Sequence, residues 1–509
     1  MLKKVIGGVA LVLAVSAFAS QASALPLISP ASGSDQILSA RFLAARFLAA
    51  RPPSTSNDLV FTYTKKVTSK GKPVSTETGT VTLGADFTAI DQASDHTLDD
   101  FTLCRVLTWK TGKSELDNQS CFFWPAFRLS EFYNRQAMNR LLTGASNDKT
   151  KLPENVIPYW VEQELAVQDK PSDPLTTHID ATATDYSLND RVVVRTSLAG
   201  STFTPDEHQR IARFLARHSD LHPQILRAIL ASGQLPSDMT IERYHADQPE
   251  TEALHFTALL RQAGDYPLPP HLTSSMVAEA KGDSIEARGL NQVLAALNGT
   301  AQPPKPDFDT LMGRLEAAVT AKQGLAATFL FQELASQYGG SIRTDPARMT
   351  RLRAVVPSLQ VLLAQPDNAP FMSAANLAGG GGKPTSQNED AARYLANAKT
   401  LDALPFGTFR YVTFANLVRV SGDTRAWDKA IFSAMPPLAD CYWTHIAAYP
   451  WASNAYKDLG DLAYQGFDMD KAWQAWDLGR AVDPDWQTGT MQSVGKYEDS
   501  LRGAMPDNF

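Results

Sequence analysis

The chain has 509 residues and a formal net charge of −7, with 44% hydrophobic and 20% charged residues and no long acidic or basic block. That length holds two or more domains with sizeable cores, and the composition is that of a globular protein. A mild acidity spread over the whole length argues against a dedicated nucleic-acid binder.

Lys3 and Lys4 precede an apolar run over 5–19, and Ala22-Ser23-Ala24 supplies a small-x-small site before Leu25. This layout predicts a secretory signal peptide over 1–24, cleaved after Ala24, and a periplasmic or secreted protein. The run is short and rich in small residues for a membrane anchor, and no other stretch approaches ~20 apolar residues, so no membrane span is expected after cleavage. Residues 25–57 read as a leader or linker. They hold a near-tandem repeat, Ala40-Arg41-Phe42-Leu43-Ala44 then Ala45-Arg46-Phe47-Leu48-Ala49, closed by Pro52-Pro53. Arg41, Arg46 and Arg51 recur every five residues and share no helical face, which favours a loose arm or docked helix over a lipid-binding one.

Strands dominate 58–200. The β-rich stretches 59–64 and 80–83 flank a polar segment with Gly71, Lys72 and Pro73, a hairpin pattern. The meander continues through 87–91 and two strand-like runs, 101–110 and 114–123, joined by Thr111-Gly112-Lys113-Ser114. Pairing Thr111 with Ser114 sets Cys104 opposite Cys121, at a non-hydrogen-bonded position. Export and register together favour a cross-strand disulfide over two reduced thiols. An amphipathic helix follows, with Leu129, Phe132, Tyr133, Ala137 and Leu141 on one face. The runs 179–188 and 191–197 flank Asn189-Asp190 as a further hairpin. The expected fold class is α+β: an N-terminal antiparallel β-sheet domain with a covering helix, then an all-α helical-hairpin region. The sheet is similar, at the level of fold only, to the curved sheets of periplasmic lipoprotein-handling domains.

The texture turns helical over 201–400. Thr204-Pro205-Asp206-Glu207 is a helix start. Pro-rich connectors at Tyr266-Pro267-Leu268-Pro269-Pro270 and Pro303-Pro304-Lys305-Pro306 separate helical stretches, strongest over 311–338 and 346–364. Gly379-Gly380-Gly381-Gly382 predicts a flexible loop. It is no phosphate loop, because Pro384 follows Lys383 where a Ser or Thr is required and Leu377 replaces the first Gly.

The last region, 401–509, predicts helical hairpins. Over 453–484 a helix, a short Gly-containing turn and a second helix end at Asp483-Pro484. Tyr456, Leu459, Gly460, Ala463, Ala472, Trp476 and Pro484 sit at signature offsets of a helical repeat, and this stretch resembles the tetratricopeptide-repeat family. Ala463 stands where that family usually has an aromatic. A degenerate second unit spans 411–435, aligning Phe414, Leu417 and Ala430 with Tyr456, Leu459 and Ala472, with Val418 in place of the small residue. The physical sense of the spacing is close helix approach at Gly460 and Ala472, with Tyr456, Leu459 and Trp476 filling the seam.

Local motifs for chemistry are sparse. His218 and His222 are four apart as metal ligands sometimes are, but lack an intervening Glu at the metalloprotease position and run into Pro223, so no metal site is expected. Cys441 and His445 could form a thiolate–imidazole pair, yet Tyr442, Trp443 and Ile446 make the segment look like core. Asp99-Asp100 and Glu162/Glu164 are paired carboxylates with no further mark of acid–base work. Six of the nine tryptophans (Trp427, Trp443, Trp451, Trp473, Trp476, Trp486) crowd the C-terminal part, as interhelical packing or as an aromatic groove for a peptide or sugar. The expectation is an exported, non-enzymatic scaffold without cofactor that binds a protein or peptide partner of the bacterial envelope. The resemblance implies contacts on the concave surface from the first hairpin helix, through Asn454, Lys457, Asp458 and Asp461, with Trp473 beside them. The alternatives are a carrier of lipid or another apolar ligand in the β-domain, and an envelope hydrolase marked by a His or convergent carboxylates in a cavity.

Overall fold

The computed structural model describes residues 57–113, 116–145, 175–188, 191–219, 221–245, 248–264, 283–302, 304–366, 438–483 and 491–509. The stretch expected to be a signal peptide, the expected leader up to Ser56, Ser114, Asn189-Asp190, Glu162/Glu164, the proline-rich connector at 266–270, Pro303, the glycine run, the 411–435 unit, Trp427, Pro484 and Trp486 lie outside them. The described residues fall into two compact units, 57–264 with 497–509, and 283–496.

The first unit is built on a 12-stranded sheet. Its strands are β1 (Asn57–Ser69), β2 (Lys72–Leu83), β3 (Phe87–Gln92), β4 (Asp95–Asp100), β5 (Arg105–Lys110), β6 (Leu116–Ser120), β7 (Leu175–Ile179), β8 (Ala183–Leu188), β9 (Arg191–Ser197), β12 (Asp238–His245), β13 (Gln248–Phe256) and β14 (Leu260–Ala263). The order is β6-β5-β4-β3-β2-β1-β13-β12-β9-β8-β7, with β14 also on β1. A separate pair joins β10 (Gly200–Thr202) to β11 (Gln234–Pro236). Each pairing is antiparallel; short hairpins join β1–β2, β2–β3, β3–β4 and β4–β5, whereas β1 meets β13 from far along the chain. The β1–β2 hairpin closes on Lys70-Gly71, both at positive φ, so the turn follows the strand twist.

Among the described residues, the helices α1 (Phe123–Ala145), α2 (Pro205–His218) and α3 (Pro223–Ala231) belong wholly to this unit. Helix α2 starts as its residues dictate, with the Thr204 N–H donating to Glu207 Oε2 at 2.8 Å. The side chains of α2 and α3 that cover the sheet are Ile211, Phe214, Leu215, Ile225 and Ile229. They meet Leu59, Phe61, Leu83, Leu254 and Phe256, and the Phe61 ring stands edge-on to Phe214 at 5.3 Å. Each such fully buried side chain contributes roughly 1.5–3 kcal/mol. Phe87, Ala89, Leu98 and Leu107 form a smaller cluster on the opposite face of β3–β5, as the period of two demands. The boundary expected at 200 is therefore displaced. β12 and β13 lie beyond it and complete the sheet beside β1. The covering role expected of α1 falls mainly to α2 and α3: Leu129 and Phe132 of α1 are buried, but Tyr133 is exposed.

The second unit is helical. Helices α4 (Ile285–Leu297), α8 (Leu438–Ala448), α9 (Ser453–Gln465) and α10 (Met469–Val482) enclose one core, and α5 (Phe308–Thr320), α6 (Gly324–Thr344) and α7 (Pro346–Leu363) another. Helix α11 (Gln492–Ala504) follows, and its residues from Tyr497 onward group with the sheet.

Candidate functional site

Cys104 and Cys121 are disulfide-bonded with Cα atoms 4.8 Å apart. The β5–β6 register, Arg105 with Ser120 and Val106 with Gln119, is the one counted from the sequence. One detail differs. The Cys121 N–H donates to the Cys104 carbonyl at 2.9 Å, so the pair sits on a hydrogen-bonded row. The turn closes from Lys113 to Lys110, and that shifts the alternation of ladder bonds by one.

A cavity of about 320 Å³ lies on the α2-facing side of the sheet. Strand alternation sends Thr97, Asp99, Val106, Thr108 and Gln119 into it, while their neighbours Leu98, Asp100 and Leu107 point away. The adjacent carboxylates Asp99 and Asp100 are thus parted to opposite faces. Asp100 Oδ1 accepts from the Leu103 N–H at 2.8 Å, while Asp99 belongs to the cavity.

At the α2 end, Arg217 Nε donates to Asp99 Oδ2 at 3.2 Å, and His218 Nε2 lies 2.8 Å from the same oxygen. Burial alone would raise the Asp99 carboxyl. The Arg217 guanidinium and the His218 ring outweigh it and hold Asp99 below the usual carboxylate range. The second Arg217 arm donates to the Asn508 carbonyl at 3.0 Å, tying the 3₁₀ turn Pro506–Asn508 to the cavity wall.

Across the cavity, Tyr63 of β1, Glu77 of β2 and Gln92 of β3 form one hydrogen-bonded cluster. The Tyr63 hydroxyl donates to Glu77 Oε1, and the Gln92 amide donates to both. Burial first, then the Glu77 carboxylate, push the phenol above its ordinary value, so Tyr63 stays a donor. Gly79 makes room for this ring: a Cβ there would lie 2.7 Å from Tyr63 Cε1. Lys65, opposite Glu77 in register, pairs with buried Glu252 at 3.6 Å, and Arg243 reaches Glu252 at 3.3 Å. Trp124, 54% exposed, and Arg128 bring α1 to the rim.

His218 and His222 do not converge as metal ligands. His218 turns to Asp99, and His222 is buried at the start of α3, where Nδ1 accepts from the Gln224 N–H at 3.2 Å. Burial and then Arg227 push His222 down to about 4, which keeps that acceptor neutral. In sequence His218 stands out only through its spacing from His222. Tyr63, Glu77, Gln92 and Arg217 have no local signal, because each comes from a different element.

In the helical unit, α9 and α10 pack where the small residues allow it. A Cβ on Gly460 would overlap the Trp476 indole and lie 2.9 Å from the Ala472 carbonyl oxygen. Trp476 Nε1 donates to the Lys457 carbonyl at 3.2 Å, and Tyr456 Oη to that of Pro450 at 2.6 Å. Of the expected contact residues, Asn454, Lys457, Asp458 and Asp461 are half-buried on α9, and Lys457 and Asp461 pair with each other at 2.6 Å. Trp473 is corrected. It is 1% exposed and stands edge-on to Trp476 at 4.9 Å, so it fills the hairpin interior and offers nothing to a partner. Cys441 and His445 are both fully buried in α8, and burial pushes His445 down to about 3. They are core groups shut away from any substrate. A second cavity, of about 220 Å³, has Leu290, Trp443, Leu459 and Leu478 in its lining, with Asp440 and Lys471 among its polar residues.

Comparison with protein-family models gives no match, and comparison with curated proteins gives none either.

Proposed function

We propose that this is an exported binding protein whose sheet unit holds a small ligand in the cavity between α2 and the sheet. The observation that carries the reading is that cavity, of a size suited to a small molecule and furnished with convergent polar groups. Its lining is unlike an acyl-chain pocket: Lys65, Glu77, Asp99, Arg217 and His218 all border it. Such groups would be desolvated without compensation by a hydrocarbon tail, so the ligand is polar rather than lipid. The hydrolase alternative has its expected mark, a His and two carboxylates in one cavity, but the groups are committed elsewhere. Asp99 is ion-paired with Arg217, Glu77 accepts from Tyr63 and Gln92, and the neighbouring Ser219 hydroxyl donates to the Leu215 carbonyl in its own helix. Among the described residues of the cavity, no Ser, Thr or Cys side chain is hydrogen-bonded to a base as acyl transfer requires.

The test is native mass spectrometry of the purified mature protein, compared with its denatured mass. A small molecule released on denaturation supports the reading. Absence of any adduct, together with no shift in melting temperature across a metabolite panel, would refute it.

A second reading concerns the helical unit. The tetratricopeptide resemblance implies a peptide or protein partner, and the apolar cavity beside α9 and α10 favours it. Exchanging Lys457→Asp and Asp461→Lys keeps the pair while reversing the surface charge. An unchanged set of envelope partners in pull-down would count against this reading.

A further inference from the structure

The floor of the sheet cavity carries polar groups that find no partner among the described residues. Thr97 pairs with Thr108 across β4–β5, and Val106 with Gln119 across β5–β6, which puts two hydroxyls and an amide side by side. All three side chains line the cavity and are half-buried. None makes a side-chain hydrogen bond with another described residue, unlike Gln92 and Tyr63 in the lining of the same cavity. These hydroxyls and this amide are open to a ligand in the cavity, and each offers both donors and acceptors.

The charged groups around them already have hydrogen-bond or ion-pair partners inside the protein. Asp99 is held by Arg217, Lys65 by Glu252, and Glu77 by Tyr63 and Gln92. A charged ligand would therefore have to displace an internal partner, whereas a neutral one need not. Beside the polar strip stand the apolar Val106 and Ile90, and at the rim the half-exposed Trp124 ring. Hydroxyl-bearing edges against Thr97, Thr108 and Gln119, with a C–H face against the indole, are the features of a polyhydroxylated ring.

We infer that the cavity is a binding site for a neutral, sugar-sized polyol, recognised by Thr97, Thr108 and Gln119 and covered by Trp124. This rests on the sheet cavity being the ligand site and specifies the class of ligand it takes.

The experiment is ligand-observed saturation-transfer NMR and calorimetry on the full mature chain. The probes are glucose, N-acetylglucosamine, their β-linked disaccharides and myo-inositol, with lauric acid as the apolar comparison. Saturable binding of one of the polyols is expected. Thr97→Val and Thr108→Val, which preserve shape and remove one hydroxyl each, should weaken it by about 3–10-fold apiece, and Gln119→Leu by a similar factor. Trp124→Ala, at an exposed position, should weaken it without altering the fold. Circular dichroism and melting temperature show whether each variant is folded. Should a valine variant fail to fold, the Trp124→Ala and Gln119→Leu proteins decide. Polyol binding untouched by the four substitutions overturns the assignment of the site. Binding of lauric acid and of no polyol overturns the polyol class while leaving the cavity as a ligand site. Binding of neither, with no co-purifying molecule, overturns both.

Discussion

A helical glycine is ordinarily a weakness, and Gly460 allows the α9–α10 seam to be tested through the sign of one substitution. Replacing Gly by Ala inside a helix stabilises it by about 0.8–1.0 kcal/mol when the methyl meets nothing. Gly313, inside α5, is such a place, with no atom within 4 Å of where the alanine methyl would stand. At Gly460 the same methyl would overlap the Trp476 indole and crowd the Ala472 carbonyl at 2.9 Å. Overpacking of this kind costs about 1–3 kcal/mol. Moving the indole also strains its 3.2 Å bond to the Lys457 carbonyl, whose loss adds roughly 1 kcal/mol. Set against the propensity gain, Gly460→Ala should be destabilising by about 1–3 kcal/mol, whereas Gly313→Ala should be stabilising by up to about 1 kcal/mol. Urea unfolding followed by tryptophan fluorescence and circular dichroism reads both, with an unchanged denaturant slope showing that the unfolded state is not the cause. If Gly460→Ala gains stability as Gly313→Ala does, the two helices do not approach at that point, and the packing logic of the hairpin is wrong.

Thiol titration should find no reactive cysteine in the native protein, one after denaturation (Cys441), and three after reduction, because Cys104 and Cys121 are bonded and Cys441 is buried. Replacing both bonded cysteines by Ser opens a 17-residue loop and should cost about 3 kcal/mol in urea melts. His222 makes the sheet unit sensitive to acid. Its folded value, pushed down to about 4, lies below the ordinary 6.5. Between these values the unfolded chain takes a proton that the folded one refuses, so its contribution is complete above pH 6.5 and falls as the pH drops towards 4. The slope is at most about 1.4 kcal/mol per pH unit. His222→Asn, which can still cap α3, should flatten the dependence of the urea midpoint on pH over that window. Arg217→Met leaves buried Asp99 without its guanidinium and should cost roughly 3–5 kcal/mol, much of it recovered in the double variant with Asp99→Asn. Strict additivity in that double-mutant cycle would refute the coupling.

The fold class is legible because its signals are local. Alternation marks β1, β2, β5, β6, β8 and β9, and the four residues from Thr204 to Glu207 mark the start of α2. The disulfide is legible through register together with the expected export, since a hairpin turn fixes which residues face each other even when its hydrogen-bond alternation is miscounted. β12 and β13 escape a reading of the sequence because their inward residues are interrupted by charge: Met239, Ile241 and Arg243 on one, Glu252, Leu254 and Phe256 on the other. Glu252 reads as solvent-exposed until Lys65 and Arg243, from neighbouring strands, neutralise it. The burial of Trp473 escapes it for a related reason. Spacing puts it near Trp476 but does not say which side of α10 faces the core, and the neighbouring helices decide that.

By itself, then, the sequence determined what depends on neighbours along the chain: strand and helix types, the β5–β6 register that joins Cys104 to Cys121, and the small residues that let α9 and α10 meet. The tertiary structure alone decided the cavity. Asp99 gains its role from Arg217, 118 residues away, and Tyr63 gains its role from Glu77 and Gln92 on two further strands. Cavity chemistry arises where strands distant in sequence lie side by side, and no local pattern of residues encodes that meeting.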